Sequence, residues 1–214
     1  RRERREEREK RKRERRREGG KEEKKRRKKK GGKRGGKKRG EEEKKRKRER
    51  EKGKGRRRKE EKKEKKRREE KREELIADLQ GCIRIPSVYA QDDSGYPYGK
   101  AVQDCLEYML DTARKLGFSV YNMDNQLGWC EYGEGEEMAA VLCHLDVVPE
   151  GGGWTVPPYE GLVADGRIYG RGTMDDKGTA MAALYALLAL KESGAGLKRR
   201  VRVIFGLNEE TGSA

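Results

Sequence analysis

Residues 138–146 read Met-Ala-Ala-Val-Leu-Cys-His-Leu-Asp, and this stretch decides the fold. Its six leading apolar residues are typical of a strand buried on both faces, as in a parallel sheet covered by helices. A histidine and an aspartate follow at once, where the strand ends. We therefore expect an α/β domain of three layers with a mostly parallel sheet and polar groups at its carboxyl edge.

The sequence on either side of this strand alternates between helical and strand patterns. Apolar residues at helical spacing predict helices over 73–84, 102–113 and 180–190. Strands are predicted over 118–123, 128–132 and 199–207, with a turn at 133–137, and a hairpin around Asp165–Gly166. These elements place the globular domain at residues 75–214. The chain ends at Ala214, soon after the last strand, so we expect a truncated domain.

The first 74 residues differ completely from the rest. They consist only of Lys, Arg, Glu and Gly, and they carry the positive charge of a chain whose net charge is +17. Without an apolar side chain this segment cannot bury a core, so we expect disorder or solvated helical stretches interrupted at glycine pairs.

Two interpretations of residues 1–74 remain open. A basic arm could bind nucleic acid, but the segment offers no aromatic side chain to stack on bases. Its four residue types are those encoded by codons of A and G alone, which favours the translation of a polypurine tract without a function. Nucleic acid is therefore the less favoured partner.

Composition also limits the location of the protein. No apolar run reaches the roughly 18 residues of a membrane-spanning helix, and no apolar segment typical of a secretory signal follows the start. The four cysteines, Cys82, Cys105, Cys130 and Cys143, lack the spacing of zinc-finger or thioredoxin motifs. We expect free, buried thiols in a cytoplasmic protein.

Polar clusters lie next to three of the predicted elements. His144 and Asp146 come after the apolar strand, Asp175 and Asp176 precede a helix, and Glu209 and Glu210 follow the last strand. Taken singly, these clusters could be a capped strand end, a helix N-cap and a solvated acidic loop. Taken together, one imidazole and several carboxylates form a donor set that suits Zn²⁺, Mn²⁺ or Co²⁺, and that could bridge two such ions.

The order of these motifs resembles that of the M20 metallopeptidases. The resemblance rests on Val-Leu-Cys-His-Leu-Asp-Val-Val-Pro at 141–149, Gly-Arg-Gly-Thr-Met-Asp-Asp-Lys-Gly at 170–178 and Asn-Glu-Glu-Thr-Gly at 208–212. It is greatest for the bacterial PepV-like, or Xaa-His, dipeptidase branch, and it covers about residues 74–214. The resemblance implies the N-terminal part of a zinc-exopeptidase-like catalytic domain.

The resemblance also implies a role for each polar residue. His144 would bind one of two zinc ions, Asp175 would bridge them, and Glu210 would bind the other. Asp146 would hold the His144 ring in place. Glu209 would be the general base that takes a proton from the attacking water.

Asp176 would not bind metal and could cap the following helix. Asn208 departs from the family pattern, in which an acidic residue is usual at this position. Family members supply two further ligands, a carboxylate and a histidine, and a lid domain from sequence beyond residue 214. We therefore expect this chain alone to be inactive or barely active.

The implied activity is zinc-dependent hydrolysis of dipeptides or short peptides. Two alternatives stay open, namely deacylation of N-acyl amino acids by a related M20 hydrolase and nucleic-acid binding through residues 1–74. The sequence indicates neither an oligomeric state nor a membrane partner.

Overall fold

The computed structural model describes residues 2–194 and 196–212, with side chains for 7–26, 46–194 and 196–212. The chain divides into two compact units, residues 1–66 and 67–214. The helices are α1 (Arg2–Ile83), α2 (Lys100–Lys115) and α3 (Lys177–Glu192). The strands are β1 (Ser119–Met123), β2 (Leu127–Tyr132), β3 (Met138–His144), β4 (Leu162–Ala164), β5 (Arg167–Tyr169) and β6 (Arg200–Gly206). Across the described ranges, no helix combines the length and the apolar character needed to span a bilayer.

The charged N-terminal segment forms part of the helix α1 in the structure, and the expected interruptions at glycine pairs are not seen within Arg2–Ile83. Lys, Arg and Glu have good helix propensity, and exposed pairs such as Arg11–Glu7 (3.1 Å) and Arg57–Glu61 (3.0 Å) join successive turns. Every described side chain of residues 7–26 and 46–66 is exposed. No buried apolar side chain therefore supports the helix among residues 7–26 and 46–66.

A four-stranded sheet with the order β1-β2-β6-β3 forms the framework of the second unit. β1 pairs with β2 and β2 with β6 in antiparallel fashion, whereas β3 and β6 run parallel. The α/β prediction is thus confirmed, but the sheet is mixed rather than mostly parallel. The segment 133–137 joins β2 to β3 without making them neighbours, because the later strand β6 lies between them.

The core lies on one face of this sheet. Val203 and Phe205 of β6 are buried there, with the C-terminal end of α1, α2 and α3 packed in the same cluster. Gly128 of β2 leaves room for α2, because a Cβ at this position would lie 2.8 Å from Leu106 Cδ1. The apolar stripes that predicted the helices are the surfaces that enter this core.

The expectation that β3 is buried on both faces is wrong for the described residues. Its first five residues are exposed, and Leu142 is 75% exposed. β3 lies at the edge of the sheet, and Leu142 is aligned across it with Ile204 and Trp129 on the face opposite the core. Helices cover one face only within the described ranges, so these residues form two layers rather than the expected three.

The predicted hairpin is present as the separate two-stranded sheet β4–β5. Ala164 is aligned with Arg167, which leaves Asp165 and Gly166 as a two-residue turn. Both have positive φ values, 51° and 73°, as the tight turn between twisted antiparallel strands requires.

Candidate metal centre

Two neighbouring strands end at the candidate site. His144 is the last residue of β3 and is aligned with Gly206, the last residue of β6. The backbone N–H of Leu145 donates to the Gly206 carbonyl (2.9 Å), so the segments that follow β3 and β6 stay side by side just beyond the sheet. Because β3 and β6 are parallel, the histidine loop and the Glu209–Glu210 loop leave the sheet at the same edge.

The acidic pair before α3 reaches this edge from another direction. Asp175 Oδ1 lies 3.0 Å from His144 Nε2. Asp176 is the N-cap residue of α3, but its side chain makes no capping hydrogen bond. Its Oδ2 instead accepts a hydrogen bond from the backbone N–H of His144 (3.3 Å). The expected capping role of Asp176 is therefore wrong, since the β3 terminus offers a competing donor.

Three potential ligands converge at one point. His144, Asp175 and Glu210 each offer one ligand atom, and these atoms all lie within 4.8 Å of one another. The histidine side chain is 12% exposed, whereas Asp175 is 74% exposed. Glu209 Oε2 lies 3.8 Å from His144 Nε2 on the exposed side. Imidazole and carboxylate donors at this separation suit a divalent transition-metal ion.

Asp146 lies beneath these ligands and is fully buried. Its Oδ2 accepts a hydrogen bond from the backbone N–H of Glu210 (2.9 Å). His144 Nδ1 lies 3.4 Å from Asp146 Oδ1 and 3.1 Å from the Asp146 carbonyl. A single buried carboxylate thus contacts the residues that carry two of the three candidate ligands.

The local charge is strongly negative. Burial lowers the pKa of His144, but Asp175, Asp146 and Asp176 outweigh burial and raise that pKa above 6.5. Adjacent carboxylates repel one another, and a divalent cation would offset that repulsion. The excess of acidic groups around one half-buried imidazole therefore fits a bound metal ion.

A cavity of about 330 Å³ opens beside His144 and Glu209. Its walls include Tyr98, Leu127 and Leu142. The lining is mostly apolar, so a small molecule with an apolar group could lie next to the candidate ligands.

Sequence reasoning missed two residues that support this site. Ser87 is buried; its hydroxyl donates to the Leu145 carbonyl (2.6 Å), and its own carbonyl accepts from Val147 N–H (3.0 Å). Lys177 is also fully buried, directly after the acidic pair. Its place in the run Asp-Asp-Lys-Gly was the only signal, and a lysine in a first helical turn is ordinarily solvated.

Comparisons with known proteins agree with this geometry. Residues 140–214 match the family model described as "Peptidase family M20/M25/M40". "Putative dipeptidase YtjP" of Bacillus subtilis is 45% identical over 141 residues, covering 65% of this chain and 30% of the relative. A "Putative dipeptidase" of Staphylococcus epidermidis is 39% identical, covering 64% of this chain and again 30% of the relative. This chain therefore spans about a third of the length of these curated relatives.

Solved structures give the same picture. Human carnosine dipeptidase 1 superposes with a TM-score of 0.58 at 25% identity, covering 66% of this chain and 33% of that structure. An M20 family metallo-carboxypeptidase from Sulfolobus solfataricus gives 0.53 at 25% identity, covering 65% and 32%. Residues 140–214 of this chain therefore match peptidase family M20, and its globular part has the fold of about a third of each of these two solved structures.

Proposed function

We propose that this chain supplies the N-terminal part of the active site of a zinc-dependent dipeptidase. The observation that carries the proposal is the convergence of His144, Asp175 and Glu210 within 4.8 Å, where parallel strands end. The dipeptidase names of the bacterial relatives and of the human structure support a short peptide as substrate.

The chain's own residues would divide the task of holding two ions. His144 would hold one ion and Glu210 the other, with the Asp175 carboxylate between them. Asp146 would keep the His144 ring oriented, because it lies 3.4 Å from Nδ1. Zinc, when bound, polarises a carbonyl group and makes water more acidic. Mn²⁺ or Co²⁺ would suit the same donors.

Glu209 is the proposed general base. It is 60% exposed and lies on the open side of His144, where it can accept a proton from water. The same carboxyl would then return the proton to the leaving amine, so that the peptide bond breaks without net proton uptake. The apolar walls of the adjacent cavity would bind a substrate side chain.

A chimera tests the activity. Residues 75–214 replace the matched segment of the Bacillus subtilis relative, which supplies the remainder of the protein. We expect zinc-dependent hydrolysis of dipeptides, and a loss of about 100-fold or more in Glu209→Gln. Faster hydrolysis of N-acyl amino acids would favour the deacylase alternative, and no hydrolysis of either substrate would overturn the proposal. The 214-residue chain alone is expected to be inactive or barely active.

Nucleic-acid binding by residues 1–74 is an alternative that does not depend on the metal site. Nucleic-acid binding through this segment would appear as a mobility shift that weakens steeply with salt and disappears when residues 1–74 are deleted. The four cysteines are all free and buried, as we expected. The cytoplasmic location of the protein stays a prediction.

A further inference from the structure

Lys177 is a fully buried lysine, and the hydrogen bonds of its Nζ are made to protein groups. Nζ donates to the Ile85 carbonyl at 2.6 Å and to the Cys82 carbonyl at 3.1 Å. Cys82 lies in the last turn of α1 and Ile85 two residues beyond its end, where the helix dipole is negative. Each carbonyl also accepts one backbone hydrogen bond, from Ile85 N–H (3.2 Å) and Ser87 N–H (2.9 Å) respectively. Lys177, the first residue of α3, thus joins the start of one helix to the end of another.

The surroundings fix the stem of this side chain as well as its head. A Cβ on Gly172 would lie 3.1 Å from Lys177 Cδ and 3.0 Å from Val147 Cγ1. Gly172 also has a φ of +84°, which favours glycine. The lysine stem therefore runs through a slot that has no space for a larger neighbour.

The anchored segments are those that carry the candidate ligands. On one side, Asp175 and Asp176 immediately precede Lys177 and contact His144. On the other side, the chain after Ile85 reaches Ser87, whose hydroxyl donates to the Leu145 carbonyl between His144 and Asp146. Lys177 therefore connects the segment that carries Asp175 and Asp176 to the segment that supports the end of β3.

We propose that Lys177 is a positioning residue for the metal centre. Its two hydrogen bonds to α1 hold the Asp175–Asp176 segment against the end of β3, so that the Asp175 carboxylate faces the His144 ring. This role rests on the proposed function, because it presumes that these residues bind metal.

Lys191 provides a matched control at the other end of α3. Its Nζ donates to the carbonyls of Leu116 (3.1 Å) and Gly117 at the end of α2, and lies 4.9 Å from the centre of the Phe118 ring. Both lysines therefore cap the C-terminal end of a preceding helix. Only Lys177 adjoins candidate metal ligands.

The test is a calorimetric titration of the 214-residue chain with Zn²⁺, with thermal unfolding measured on the same samples. We expect both Lys177→Met and Lys191→Met to lower the Tm. Only Lys177→Met should weaken zinc binding, by about 10-fold or more, as is typical when a support of a metal ligand is removed. The absorption spectrum of bound Co²⁺ should change in the same variant alone.

Lys177→Gln places a neutral amide N–H donor where the ammonium group was, and it covers the case in which Lys177→Met does not fold. Its zinc affinity should lie below that of the native chain. Native affinity in either folded Lys177 variant, or an equal loss in Lys191→Met, would overturn the positioning role. Failure of the native chain to bind Zn²⁺ would instead overturn the proposed metal site.

Discussion

The two units of this chain use charge in opposite ways. In residues 7–26 and 46–66 every described side chain is exposed, and ion pairs such as Arg57–Glu61 lie in solvent. In the second unit, by contrast, Asp146 and Lys177 are fully buried and contact several chain segments. Exposed pairs contribute little because water and salt screen them, whereas a buried charge depends on its few partners. The number of charged side chains is thus a poor guide to their contribution to stability, which depends on how deeply each one is buried.

The largest expected effect comes from removing the core that makes burial possible. Phe205 is fully buried in β6, so Phe205→Ala should lower the free energy of unfolding by about 3–5 kcal/mol. Urea unfolding followed by tryptophan fluorescence measures the change. As a matched substitution in the first unit, Glu61→Ala should stay within about 0.5 kcal/mol. Equal losses of unfolding free energy in the two variants would mean that burial does not explain the difference in stability between the two units.

The second prediction concerns a buried charge. Asp146→Asn keeps the size of the side chain but removes the carboxylate that contacts His144 and the Glu210 backbone. We expect zinc affinity to fall by about 10- to 100-fold in a calorimetric titration. The exposed Asp165, in the β4–β5 turn, supplies the control, since Asp165→Asn also tolerates a positive φ. A loss of affinity in Asp165→Asn of the same size would refute the role assigned to Asp146.

A third, smaller effect follows from the raised pKa of His144. The folded chain binds this proton more tightly than the unfolded chain, whose imidazole titrates near 6.5. Without metal, His144 protonation should therefore stabilise the fold below that value, and the contribution should be lost as pH rises through the raised pKa. The difference in unfolding free energy between the native chain and His144→Gln, measured in EDTA across neutral pH, reports it. A difference that grows with pH would contradict the sign.

Local patterns were sufficient to predict most elements of the second unit. The apolar spacing of Val102, Leu106 and Met109 matches the buried side of α2, and Asp165–Gly166 forms the predicted turn. Strand order was not predictable in this way, because the insertion of β6 between β2 and β3 joins segments far apart in sequence. The prediction that β3 is buried on both faces was wrong for a related reason. An apolar run shows that a strand can be covered, but the cover must come from other parts of a protein.

The site shows the same division between local and long-range information. The sequence placed His144, Asp175 and Glu210 at element ends, and the structure brings their ligand atoms together. The sequence did not reveal that Asp176 would contact the His144 backbone instead of capping α3, because this contact depends on a strand that ends 32 residues earlier in the chain. Lys177 was missed because its partners are backbone carbonyls, which carry no side-chain signature.

The smallest expected effect tests the exposed charges of the first unit. Side-chain ion pairs such as Arg57–Glu61 add to the backbone hydrogen bonds between turns of this helix, and salt screens these pairs. Hydrogen exchange of the whole chain, read by mass spectrometry, should show residues 46–66 losing protection about 2-fold between low salt and 1 M NaCl. Amides of α2 in the same samples should not respond, because apolar burial protects them. Equal sensitivity in both segments would show that surface charge, rather than the core, holds α2 in place.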